Sequence, residues 1–227
     1  QMGGGVIFSQ AAHQIDIVRL LGGGLVNSVM AHTGAWDPSR PTEGAYSALL
    51  GFKNGAFASV SYSGYGHFDS DRWMDGIGEL GQTKNWTDHG IARRRLALAR
   101  TVNEETQLKA ARNYGAAQWS GSTALPTHAQ HQHFGPMIIS CDHADLRPTP
   151  HGVWIDGHMD VKLEALQPPV RPRIEVIDEF YNAIVHGKPV LHSGAWARAT
   201  TAVGLAILAS SESGQIQTPL HQVAPDY

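Results

Sequence analysis

Apolar and polar positions follow two different periods along this chain. In SQAAHQIDIVRLL, Ser9 to Leu21, the residues Ala11, Ile15 and Val18 recur at helical spacing, which predicts a helix with one stripe turned into a core. Ser9 reads as its N-cap, and Gly22-Gly23-Gly24 end it. At ~100° per residue Ser9, His13, Asp16 and Leu20 fall on neighbouring positions of the other face. The polar trio is therefore expected to look into one shared space.

Beyond the glycines the period shortens. VNSVMAHTGAW, EGAYSALLGF and AFASVSYSG read as strands, and Asn54-Gly55 between the last two is a strong hairpin signal, so the pairing is expected to be antiparallel. Residues 64–90 are rich in glycine, aspartate and aromatics and keep no period, which predicts a long loop. IARRRLALARTVNEETQLKAARNYG is expected to be one helix, with Arg93-Arg94-Arg95 on a solvated face. Together these stretches form an expected loop and helical insertion over about 64–125. PMIISCD and GVWIDG read as strands, and the two prolines of the intervening HADLRPTPH argue against a helix or a central strand there. RIEVIDEFYNAIVHGK and SGAWARATTAVGLAILASSESG predict two closing helices. Strands in a run, with helices at both ends, indicate an α+β fold, and no linker divides residues 1–227 into separate domains.

Composition narrows the function. With 42% hydrophobic and 16% charged residues the chain is globular, and a formal charge of −3 offers no basic field for nucleic acid. No apolar run reaches the ~18 to 20 residues that cross a bilayer, and no secretory leader opens the chain, so a cytoplasmic location is expected. The single cysteine, Cys141, excludes an intramolecular disulfide and reads as a buried thiol. The start at Gln1, without an initiator methionine, is read as a fragment of a longer protein.

Several motifs fall away on inspection. Gly76-Ile77-Gly78-Glu79-Leu80-Gly81 spells a dinucleotide fingerprint, but it lacks a good strand before it and a good helix after it. The opening Gly3 and Gly5 would need a third glycine where Phe8 stands. His128, His131 and His133 have no cysteine or carboxylate among them and match no zinc spacing, so a polar loop is favoured and no metal is expected. No G-x-S-x-G elbow is present. What remains is the face bearing Ser9, His13 and Asp16, although a lone helix histidine beside an apolar stripe is more often structural than catalytic.

GGGVIFSQAAHQIDIVRLLGG resembles the segment that opens the C-terminal domain of the Gfo/Idh/MocA oxidoreductases, in which a glycine-rich turn leads to a D-x-x-x-H-x-x-D helix. VIDEFYNAIVHGKPVLHSGAWARATTAVGLAILASSESGQ is similar to that family's closing helices. Within the family, SYSGYGHFDSDRWMDGIGELGQ and FGPMIISCDHADLRPTPHGVWIDG look most like the phthalate 4,5-cis-dihydrodiol dehydrogenases.

The resemblance implies an open, mostly antiparallel sheet with helices on one face, acting as substrate-binding and oligomerisation domain. Homo-oligomers would form through the free sheet face. NAD or NADP would be held mainly by an upstream Rossmann domain, and the piece by itself would be inactive. The implied substrate is a small aromatic dihydrodiol dicarboxylate, oxidised to 4,5-dihydroxyphthalate. His13 matches the family's catalytic histidine, Asp16 its last acidic position, and Ser9 stands where many members carry aspartate. For the substrate carboxylates, Arg72 with His67 is the first expectation and Arg147 the reserve. A sugar or polyol substrate, or a non-catalytic binding or dimerisation module, are the alternatives.

Overall fold

The computed structural model describes residues 4–85, 87, 89–99, 101–110, 130–168, 170 and 173–225. Seven strands form one sheet in the order of the chain, each antiparallel to the next: β1 (Val26–Gly34), β2 (Ala45–Phe52), β3 (Phe57–Ser63), β4 (Met137–Ser140), β5 (Ala144–Thr149), β6 (Gly152–Gly157) and β7 (Val161–Ala165). A π-helical turn, Ile7–Ala11, runs straight into α1 (Ala12–Leu21), and α5 (Gly194–Ser213) packs beside it on one face of the sheet. Ile7, Ile15 and Val18 meet Val203 and Ile207 there, over Val29, Leu50, Val60 and Ile139. Period-two alternation leaves His32, Ser47, Leu49, Ser59 and Ile138 exposed on the opposite face. Among the described residues no helix is long and apolar enough to cross a membrane.

Both sheet edges are protected. The outward N–H groups of edge strand β1 are taken by the C-terminal end of α5 and the residues after it: Ala31 donates to Ser210 Oγ (3.0 Å), Thr33 to Ser211 Oγ (2.9 Å) and Val29 to the Gln217 carbonyl (2.8 Å). At the other edge β7 is short and carries Lys162 and Glu164.

The glycine-rich entry meets a tight approach rather than a phosphate. A Cβ on Gly5 would lie 2.4 Å from the Glu43 carbonyl oxygen. That closeness lets Glu43 satisfy two otherwise orphaned donors at the start of the helix, Val6 N–H through its carbonyl (3.1 Å) and Ile7 N–H through its carboxylate (3.0 Å). Glu43→Ala is expected to lower the unfolding free energy by about 1 kcal/mol in urea titration, as loss of a helix cap does. Ser9 is not the cap: it sits inside the π-helical turn, and its hydroxyl donates to the Gly5 carbonyl (3.1 Å).

Two further expectations are corrected. The helix expected over 91–115 is two, α2 (Ile91–Leu96) and α3 (Val102–Ala110), with 111–115 outside the described residues. The break is written in Thr101-Val102-Asn103-Glu104, where each end's side chain bonds the other's N–H (3.2 and 3.1 Å), a capping box that restarts the helix. HADLRPTPH contains a strand within the sheet, β5, despite its prolines. Pro148 is tolerated because β4 pairs only with Asp145 and Leu146, leaving that stretch of β5 without a neighbour on one side. Strand β7, five residues that end the meander, has no counterpart in the sequence reading.

Residues 64–136 connect the neighbouring strands β3 and β4. Within this excursion lie a 3₁₀ turn, Ser70–Met74, and the Gly76–Gly81 stretch, which is a turn closed by an Ile77–Thr83 bridge with no helix after it. Its described part reaches α1 at Phe134, which stacks on His13.

Candidate active site

His13 lies on the exposed side of α1, its imidazole stacked on the Phe134 ring with centroids 4.2 Å apart and planes 14° from parallel. Phe134 belongs to the wall of a cleft of about 230 Å³ between the end of β3, the 66–90 segment and residues 133–135. Burial lowers the His13 pKa below its ordinary 6.5, and the Arg173 charge lowers it further, both outweighing the opposing pull of Asp16. A neutral imidazole at pH 7 can accept a proton.

The rest of the cleft is charged and crosslinked. Lys84 bridges Asp69 and Asp71 at 2.6 Å each. Arg93 donates to the Tyr65 and Gly66 carbonyls, so it clamps the turn after β3 instead of lying on a solvated face. Burial raises the pKa of Glu79, and the Tyr62 hydroxyl is pushed up to about 12 by burial and by the nearby charges of Glu79 and Asp71. His133 is buried with both ring nitrogens occupied. Nε2 lies 2.9 Å from the Ile77 carbonyl, which can only accept, so Nε2 carries the proton and Nδ1 accepts from Gly135 N–H. His131 turns elsewhere, to the Gln167 carbonyl at 2.6 Å, and His128 lies outside the described residues.

None of Ser9, His13 and Asp16 lines that cleft: His13 meets its wall through Phe134, and Asp16 turns toward α5. Its carboxylate accepts from Trp196 Nε1 and from the Thr200 hydroxyl (3.0 Å), and it meets His192 Nε2 at 3.2 Å. Thr200 in turn accepts from Arg19 Nη1 (2.8 Å), which settles the direction of its hydroxyl proton toward Asp16. Arg19 is fully buried, lies 3.8 Å over the Trp196 ring, and has its pKa drawn down to about 10 by burial against the support of Asp16. On the outer side His192 Nδ1 is 2.6 Å from Glu179 of α4 (Ile174–His186). Burial alone would lower the His192 pKa, and its contacts with Glu179 and Asp16 raise it instead. Asp16 is thus the joint between α1, α5 and α4.

Of the two arginines expected at the site, Arg147 is engaged on the sheet and Arg72 borders a recess next to the cleft. Arg147 forks onto Asp156 of the adjacent strand at 2.8 and 3.2 Å. Arg72 is exposed on the 3₁₀ turn, beside a small recess with Lys84 and Asn85. His67 lines a cavity of about 660 Å³ over the open face of the sheet, with Trp36, Phe68 and Trp73. The cations that line the cleft are Lys84 and Arg93, and Arg173 acts on His13 itself; each is distant from His13 along the chain, so helical spacing could not mark it.

Residues 1–84 match the family model described as the GFO/IDH/MocA C-terminal domain. Over 210 residues the chain is 41% identical to a 1-carboxy-3-chloro-3,4-dihydroxycyclohexa-1,5-diene dehydrogenase of Comamonas testosteroni, covering 91% of this chain and 52% of that protein. The crystal structure of "the putative dehydrogenase from Bordetella bronchiseptica RB50" superposes with a TM-score of 0.79 at 36% identity, over 95% of this chain and 55% of the other. A levoglucosan dehydrogenase in complex with NADH and levoglucosan shares the fold at 14% identity and a TM-score of 0.57, over 96% of this chain and 51% of the other. The chain therefore spans about half the length of the relatives it matches.

Proposed function

The chain belongs to the Gfo/Idh/MocA family as its C-terminal domain, and from that premise we propose that it is the substrate-binding half of an NAD(P)-dependent dehydrogenase acting on a ring-carboxylated cis-dihydrodiol. Phthalate 4,5-cis-dihydrodiol, oxidised to 4,5-dihydroxyphthalate, is the specific substrate we assign. The Comamonas relative, whose name describes a carboxylated cyclohexadiene diol, supports the class. The observation that carries the reading is His13 itself: a solvent-facing imidazole, stacked on a cleft wall and held in its neutral form.

In this reading the diol binds with one hydroxyl against His13, which accepts the hydroxyl proton. Stacking on Phe134 holds the imidazole plane, and Arg173 disfavours premature protonation. A nicotinamide, when bound, would supply the hydride acceptor for the carbinol carbon, and the hydroxy-dienone would then tautomerise to an aromatic catechol. The described residues do not fit the dinucleotide: the one G-x-G-x-x-G is a closed turn with no helix N-terminus to meet a pyrophosphate. The reading therefore places the dinucleotide on another part of a longer polypeptide. Assembly of copies is assigned to the open sheet face, where Leu49, Phe57 and Ile138 are exposed.

The test is to incubate the full-length polypeptide with the dihydrodiol and NAD⁺ or NADP⁺ and follow catechol and reduced nicotinamide together. This chain alone is expected to give neither product nor dinucleotide binding. Ser9 lies one helical turn before His13, where a carboxylate would repel a dianionic substrate. Ser9→Asp is accordingly expected to raise KM for the dicarboxylate, and an unchanged KM removes that explanation for the serine.

A further inference from the structure

Arg173 stands at the start of α4 with its backbone in the left-handed region (φ 60°, ψ 24°), which an arginine adopts rarely. Its carbonyl accepts the Ile177 N–H (3.2 Å), so the residue is fixed to the first turn of the helix. The helix is in turn fixed against α1. Glu179 accepts from the backbone N–H of His192 (3.1 Å) and bonds its Nδ1 (2.6 Å), and His192 Nε2 meets Asp16 at 3.2 Å. Asp16 lies less than one turn after His13 on α1, and Arg173 lies less than two turns before Glu179, about 9 Å along the helix axis. This anchor brings the first turn of α4 into the neighbourhood of His13, where the Arg173 charge acts on the imidazole.

Among the described residues the Arg173 guanidinium has no hydrogen-bond or ion-pair partner. Other cations around the site are engaged: Lys84 on Asp69 and Asp71, Arg93 on the Tyr65 and Gly66 carbonyls, and Arg19 in its buried network. An exposed arginine without a partner is ordinary on a protein surface. Arg173 differs in that its charge reaches the group assigned to the chemistry and repels the protonated form of it.

An unpaired guanidinium beside a neutral imidazole suits a substrate that brings its own anion. In the ring-carboxylated dihydrodiol the carboxylates stand across the ring from the hydroxyls, so one molecule can set a hydroxyl at His13 and a carboxylate at a cation nearby. The planar fork of arginine matches a carboxylate with two parallel hydrogen bonds. Binding also offsets the charge that disfavours protonated His13, so the imidazole becomes a better proton acceptor once substrate is in place.

We propose that Arg173 binds a ring carboxylate of the substrate and is the residue by which the site prefers a carboxylated dihydrodiol to a plain one. The proposal rests on the dehydrogenase reading of the site and gives Arg173 the role first expected of Arg72 and Arg147.

The experiment uses the full-length polypeptide as wild type, Arg173→Gln and Arg173→Lys, at about pH 8, where His13 is neutral in each. Oxidation of phthalate 4,5-cis-dihydrodiol is compared with that of benzene cis-dihydrodiol, which carries no carboxylate. Arg173→Gln is expected to raise KM for the dicarboxylate by about 10- to 100-fold, to leave kcat within about threefold, and to leave KM for the carboxylate-free diol unchanged. Arg173→Lys is expected to recover part of the loss, since it restores the charge without the fork. Titration calorimetry with phthalate, which has the carboxylates and no diol, is expected to show the same weakening in Arg173→Gln. An unchanged KM for the dicarboxylate or an unchanged phthalate affinity overturns the proposal. So does an equal rise in KM for both diols, since Arg173 then shapes the site without touching a carboxylate. Phthalate binding that depends on Arg173, in a full-length protein that oxidises neither diol, leaves the carboxylate site standing and removes the dehydrogenase reading instead.

Discussion

In the full-length polypeptide His13→Ala is expected to lower kcat for the dihydrodiol by about 100- to 10,000-fold, the contribution of a positioned general base. In the proposed reading the effect falls on kcat because the imidazole would act on the hydroxyl proton, which leaves only as the carbon is oxidised. The pH profile carries the sharper signature. Protonated His13 cannot accept a proton, so kcat/KM falls as pH drops through the His13 pKa. Burial and Arg173 place that limb below 6.5. Arg173→Ala removes one of the two lowering influences and is expected to move the limb upward. An acidic limb above 6.5 in the wild type, or near-normal turnover in His13→Ala, contradicts the role given to this residue.

Arg19→Met is expected to cost about 3–5 kcal/mol of folding stability in urea unfolding, the range for breaking a buried charged network by removing one partner. The guanidinium is fully buried and donates to the Gly24, Trp196 and Val223 carbonyls and to Thr200. Methionine fills much of the volume but makes none of those hydrogen bonds and removes the cation over the Trp196 ring. It also loosens Thr200, whose proton is directed at Asp16. The same variant is therefore expected to make α4 easier to cleave by protease, because α4 is tied to Asp16 through Glu179 and His192. A loss below about 1 kcal/mol, typical of surface ion pairs, would show that the network stabilises little.

The helical period of residues 9–21 and the apolar stripe of Ala11, Ile15 and Val18 were readable from the residues alone, as were the Asn54-Gly55 hairpin and the two closing helices. These are local features, in which each residue's neighbours along the chain decide its conformation. The capping box at Thr101 was equally local and was passed over beneath the longer helical pattern. The strand β5 was misread for a different reason: whether Pro148 is tolerated depends on how far β4 extends beside it, a fact about another strand.

The same division holds at the site. Helical spacing places His13 and Asp16 on nearby positions of α1, while Ser9 lies in the π-helical turn before it. Spacing cannot say what each side chain meets, because the deciding partners are far away in sequence. Phe134 meets His13 from the connection between β3 and β4, and Trp196, Thr200 and His192 draw Asp16 away toward α5 and α4. The chain by itself determined its period, its turns and the histidine on an exposed helical face. Only the tertiary structure decided that Asp16 joins three helices, that Arg147 is spent on Asp156, and that α4 turns its apolar side outward, because charge pairing and desolvation depend on neighbours brought together by the fold.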